Sequence, residues 1–129
     1  MGEEALVEEM KLVLAELQRT RGPVALFMLV APDTAVTNFY RLVVSAKGYD
    51  GVGRPEAIRA TLKLLYEVMS EPERQKIQLM SVLRTHDPLV HAFNSAYKIQ
   101  NDDLTVFCAT VLDVELPKAI LLHSQRLAA

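Results

Sequence analysis

Val24-Ala25-Leu26-Phe27-Met28-Leu29-Val30-Ala31 is the longest apolar run in the chain, closed on either side by a proline, Pro23 and Pro32. Eight residues are far short of the roughly twenty a membrane helix needs. Both alternating faces of Val24–Val30 carry β-branched or large apolar side chains, the signature of an interior strand covered on each side. An interior strand demands partners and two covering layers, and the flanking sequence supplies them.

Upstream, residues 3–20 read as an amphipathic helix. Leu6, Met10, Val13, Leu14 and Leu17 recur at spacings of three and four and share one face. Glu3, Glu4, Glu8 and Glu9 crowd the first half and Arg19 and Arg21 the end, an order that complements the helix dipole. This acidic group reads as a solvated helix start. Gly22-Pro23 stops the helix.

Downstream, Ala31–Asn38 is a loop marked by Pro32-Asp33, and Phe39–Ala46 is a second strand with Leu42, Val44 and Ala46 on one face. Eight intervening residues favour an antiparallel pair, since a parallel crossover consumes more chain. Gly48–Gly53 is a glycine-rich turn, and Pro55 sets the first turn of a helix with Ile58, Leu62, Leu65 and Met69 as its apolar stripe. Ser70-Glu71-Pro72-Glu73 matches a capping box and predicts a short helical turn.

Lys76–Arg84 fits both periods. Ile77, Leu79, Ser81 and Leu83 alternate, while Ile77, Met80 and Leu83 also share a helical face. The strand is preferred, because Thr85-His86-Asp87-Pro88 then forms a strand-to-helix corner with Asp87 as N-cap. A helix follows from Pro88 to about Ile99, with Leu89, Phe93 and Ala96 inward. After the polar turn Asn101-Asp102-Asp103, Leu104–Leu112 is a strand, Asp113–Lys118 a turn, and Ala119–His123 a last short strand. Ser124–Ala129 reads as a loose tail.

The expected architecture is α+β in the order helix-strand-strand-helix-strand-helix-strand-strand. It is a single layered domain over residues 1–129, its five-stranded sheet mostly antiparallel or mixed and packed with about three principal helices. At 129 residues the chain can bury roughly two-thirds of its unfolded surface, enough for one core.

Composition excludes several chemistries. One cysteine, Cys108, allows no internal disulfide and no zinc site built from paired thiolates. Set mid-strand beside Phe107 and Ala109, it reads as a small buried hydrophobe rather than a nucleophile. A net charge of −2, with basic residues interleaved among acidic ones and 6% aromatics, gives no nucleic-acid footprint. The acidic Met1-Gly2-Glu3-Glu4 start is unlike a secretory signal, and Leu6 occupies the place where a myristoylation motif has Ser or Thr. A cytoplasmic protein with no membrane partner is expected. No nucleophile elbow of the G-x-S-x-G kind occurs.

Two clusters merit weighing as sites. Lys47, Gly48, Gly51, Gly53 and Arg54 lie between a strand and a helix, the context in which backbone amides cradle phosphate. Against this, the spacing is G-x-x-G-x-G, Asp50 would repel an anion, and Pro55 removes a donor; glycines permitting positive φ in a connecting loop are the simpler reading. His86, Asp87 and His91 hold metal-ligating groups, with Asp87 and His91 one helical turn apart, but nothing fixes a fourth ligand and Asp87 has a capping role.

No metal, cofactor or catalytic set is therefore expected. The chain reads as a small, non-enzymatic protein-interaction domain that self-associates as a homodimer, because a small sheet must cover its edges. The alternative is a small-ligand or phosphate-binding domain using the glycine-rich turn 47–54.

Overall fold

The computed structural model describes residues 2–31, 39–100, 103–111 and 114–127. The apolar run forms strand β1 (Val24–Ala31), in which every residue but Val30 is buried. It follows helix α1 (Gly2–Arg21) and precedes strand β2 (Tyr40–Ala46), a 3-10 turn at Lys47–Tyr49 and helix α2 (Arg54–Val68). Then come the one-turn helix α3 (Glu71–Arg74), strand β3 (Ile77–Val82), helix α4 (Pro88–Ala96), and strands β4 (Leu104–Val111) and β5 (Val114–Ser124). The α+β class expected from the sequence holds.

The strands order β3-β2-β1-β5-β4. β1 is antiparallel to both β2 and β5, and β5 is antiparallel to β4. β3 runs parallel to β2, the pairing a helical crossover through α2 requires, so the sheet is mixed. β1 thus has strands on both edges and helices over both faces.

On one face Leu6, Met10 and Leu17 of α1 and Leu65 of α2 meet Phe27, Leu29, Leu42 and Val44. On the other, Val90 and Phe93 of α4 meet Leu26, Met28, Val43 and Leu121. Phe27, Leu29 and Leu42 are fully buried, and each such side chain contributes about 1.5–3 kcal/mol of transfer free energy.

The chain ends α1 as its sequence requires. Gly22 adopts φ +77° and donates its N–H to the Gln18 carbonyl at 3.1 Å, a left-handed C-cap that other residues rarely adopt.

Several elements differ from the expectation, each for a local reason. The α2 stripe is turned by one position: Ala57, Thr61, Leu64 and Leu65 are buried while Leu62 is 40% exposed. Small residues at 57 and 61 let the helix sit close, and Thr61 is satisfied within the core, its Oγ1 lying 2.9 Å from both the Tyr49 hydroxyl and the Ala57 carbonyl. α4 ends at Ala96, which is exposed, and Asn94 points inward instead. The Asn94 amide donates to the Ala25 carbonyl and to Ser124 Oγ, so a polar side chain occupies an interior position.

Ser70 caps α3 with no side-chain bond to its own helix. Its N–H and hydroxyl both donate to the Glu9 carboxylate of α1, at 2.6 and 2.8 Å. Glu9 therefore ties two helices together.

The last strand begins at Val114 rather than Ala119, with Val111 paired to Val114. Pro117 lies within it, between Leu116, paired with Ala109, and Lys118, paired with Phe107 and with Ala31. Ser124 is not loose: it is fully buried, it exchanges backbone bonds with Ile99, and the Gln125 N–H reaches the Ala25 carbonyl. Residues 32–38, 101–102, 112–113 and 128–129, with most of the loop after β1 and the tip of the Asn101-Asp102-Asp103 turn, lie outside the described residues. Cys108 stands in β4, and its side-chain surroundings are likewise outside them.

Candidate functional site

The glycine-rich turn is built as a clamp between elements. Gly48 packs under the end of α1 so closely that a Cβ there would lie 2.4 Å from the Arg21 carbonyl oxygen. Tyr49 is buried beside Thr61, with the Arg21 guanidinium 5.1 Å from its ring centroid. Asp50 reaches across to the corner before α4, accepting from the Thr85 N–H at 2.9 Å and from the Thr85 hydroxyl. Among the described glycines only Gly22 has positive φ, so close approach, not left-handed geometry, explains Gly48. Gly51 has open space around it, and Gly53 is the extended N-cap of α2.

The two basic residues flanking the turn face different places. Arg54 borders a hollow of about 40 Å³ beside Tyr49, Val82 and Arg84. Lys47 opens into a cleft of about 600 Å³, whose other walls are Thr85 and His86 from the corner, His91 and Asn94 from α4, and Arg126 and Leu127 after β5. Part of each sequence cluster thus meets in one place: Lys47 from the turn, His86 and His91 from the corner and helix.

Asp87 does not join them. Its carboxylate accepts from the Leu89 N–H at 2.8 Å, the N-cap role its position implies. Among the described residues no three His, Cys, Asp or Glu side chains converge as a metal-ligating group.

A second feature lies beside β3. A groove of about 660 Å³ runs between α2 and the outer edge of that strand, which among the described residues has no strand beyond it. Five large apolar side chains are exposed among the described residues, and four of them, Phe39, Leu62, Tyr66 and Leu79, line this groove. Met80 and Ile77 turn in toward the α1–α2 core, while Leu79, opposite Arg41, turns to the other face. The apolar surface therefore wraps the strand edge. Arg74 is stacked 4.1 Å above the Tyr66 ring and closes one end.

The corner cleft is visible in the sequence only as two separate clusters, because Arg126 is far away along the chain. Leu62 carries the signal of the groove: its spacing places it in the core stripe, and its exposure marks α2 as having a second apolar face.

No helix among the described residues is long and apolar enough to cross a membrane. Compared with known protein families, curated proteins and solved structures, the chain matches none.

Proposed function

We propose that this protein is a non-enzymatic interaction domain that forms a homodimer through the β3 edge and the exposed face of α2. The observation that carries the reading is the convergence of Phe39, Leu62, Tyr66 and Leu79 on one groove. Scattered exposed apolar residues are ordinary; a contiguous group beside an unpaired strand edge is a docking surface.

Strand β3, Ile77-Gln78-Leu79-Met80-Ser81-Val82, has neither a charge nor a proline to deter pairing. A second copy is the occupant that suits it. Two β3 strands can pair antiparallel about a two-fold axis, each supplying the ladder the other lacks, and the two α2 faces then cover one another. Arg74 lines the groove, and Lys63 and Glu67, a loose exposed pair, are chain neighbours of Leu62 and Tyr66 on α2; charges of both signs suit a self-complementary contact. A net charge of −2 and dispersed basic residues favour a protein partner over nucleic acid. The single cysteine suits a reducing compartment such as the cytoplasm.

Light scattering coupled to size exclusion across the micromolar range tests this. The expected mass is twice the 14.4 kDa of the chain. A monomer throughout that range overturns the reading.

A further inference from the structure

We propose that the cleft between the Lys47–Tyr49 turn, α4 and the segment after β5 is a binding site for a small phosphomonoester. Four cationic or protonatable side chains reach it from separate parts of the chain: Lys47, His86, His91 and Arg126. All four are exposed, and among the described residues none is engaged in an ion pair or a side-chain hydrogen bond. Elsewhere some cations are answered by neighbours, Arg19 by Glu16, Lys11 by Asp103 and Lys76 by Glu73; what sets Lys47, His86, His91 and Arg126 apart is that they line one cleft. Here, among the described residues, no carboxylate lines the wall. A concave surface lined by one sign of charge focuses potential and recruits an anion.

The nearby acids are accounted for. Asp50 spends both carboxylate oxygens on Thr85, and Asp87 caps Leu89. They lower the local field, but neither is among the described side chains that line the cleft. Those same bonds fix the corner that carries His86, so this part of the wall is held before any ligand arrives.

The chemistry favours a phosphoryl group. An arginine fork, an ammonium and two imidazoles supply several N–H donors along one cleft, donor chemistry that suits a group with three terminal oxygens. The volume, about 600 Å³, is that of a small-molecule pocket rather than of a bare oxyanion. Leu127 and Asn94 provide an apolar and a polar wall for an organic remainder. The site is separate from the groove beside β3, so it stands or falls independently of dimerisation.

The test is a heteronuclear NMR titration of the full chain with phenyl phosphate, glucose 6-phosphate, inorganic phosphate, and sodium chloride at equal ionic strength. The expected result is saturable movement of the His86 and His91 imidazole signals and of the Thr85 and Arg126 amides with at least one of the two monoesters. A Lys47→Ala/Arg126→Ala variant should bind about tenfold more weakly or worse, the loss expected when charge-assisted bonds are removed. Both side chains are exposed, so the fold should persist; His91→Gln is the second variant should it not, and the same weakening is expected. Failure of both monoesters to saturate, equal shifts with chloride, unchanged affinity in the variants, or saturation by inorganic phosphate alone would each overturn the proposal.

Discussion

The Asp50 carboxylate holds Thr85 at both its backbone N–H, at 2.9 Å, and its hydroxyl, joining the turn after β2 to the corner before α4. Since α2 and β3 intervene between these two segments, this contact fixes where α4 starts relative to β2. It is the local device that brings Lys47 and His86 to the same cleft.

Replacing Asp50 by alanine removes both bonds and leaves a part-buried N–H without its acceptor. A loss of about 1–3 kcal/mol is expected in urea denaturation. Asp50→Asn retains the carbonyl acceptor and should lose less. Equal stability of the alanine variant would show that the clamp contributes nothing.

The glycines of the same turn should separate cleanly. Gly48→Ala places a methyl group 2.4 Å from the Arg21 carbonyl, and the backbone must shift to receive it. Overpacking of this kind costs about 1–3 kcal/mol. Gly51→Ala meets nothing within 4 Å and should stay within about 0.5 kcal/mol of the parent. A parallel pair of thermal or urea transitions checks both at once.

Leu79→Lys inserts a charge at the open edge of the sheet, at a side chain 53% exposed in the isolated chain. The domain should remain folded by circular dichroism, while its mass in light scattering falls to that of one chain. A charge on an edge strand is a common deterrent to pairing. Persistence of the dimer would move the interface elsewhere.

His123 is buried on β5 with its Nδ1 unpartnered among the described residues. Burial lowers its pKa from the ordinary 6.5, partly offset by hydrogen bonding with Gln125 and the Val24 backbone. The folded state therefore prefers the neutral ring, and the unfolded chain takes up the proton first. Stability is fully present above about pH 6.5, falls as pH drops below it, and levels off once the folded state is protonated too. Urea midpoints measured from about pH 8 down to about pH 5 should show this limb, and His123→Phe should flatten it.

Ser45 Oγ is fully buried and has no hydrogen-bond partner among the described residues. Ser45→Ala deletes a desolvated hydroxyl and should leave stability unchanged or raise it by about 1 kcal/mol. A clear loss in urea denaturation would mean that the hydroxyl has a partner after all.

The elements legible in the sequence are those whose apolar residues declare their period. Leu6 through Leu17 mark the buried face of α1, Val24–Val30 mark a strand covered on both sides, and Pro88 after Asp87 marks the start of α4. Misreadings fall where polar side chains do interior work. Thr61 and Asn94 are buried because each finds partners that no periodicity encodes, Tyr49 and Ala57 for one, Ala25 and Ser124 for the other. Pro117 argues for a turn, yet the paired residues on either side of it, Leu116 and Lys118, carry the strand through. The cleft is legible in fragments: Lys47 and the two histidines stand in separate motifs, and Arg126 becomes relevant only through the course of β5.

β1 and β5 are hydrogen-bonded from Leu26–Ser124 to Ala31–Lys118, so the middle of the sheet is stitched by the pairing most remote along the chain. The hairpin β1–β2 and the hairpin β4–β5 can each zip from nearby residues, whereas this seam must wait for nearly the whole polypeptide to be gathered in. Without that seam, each half-sheet has an edge that lacks its partner strand. A lesion at the seam is accordingly expected to favour misassembly more than one at the rim, since it leaves two strand edges without partners.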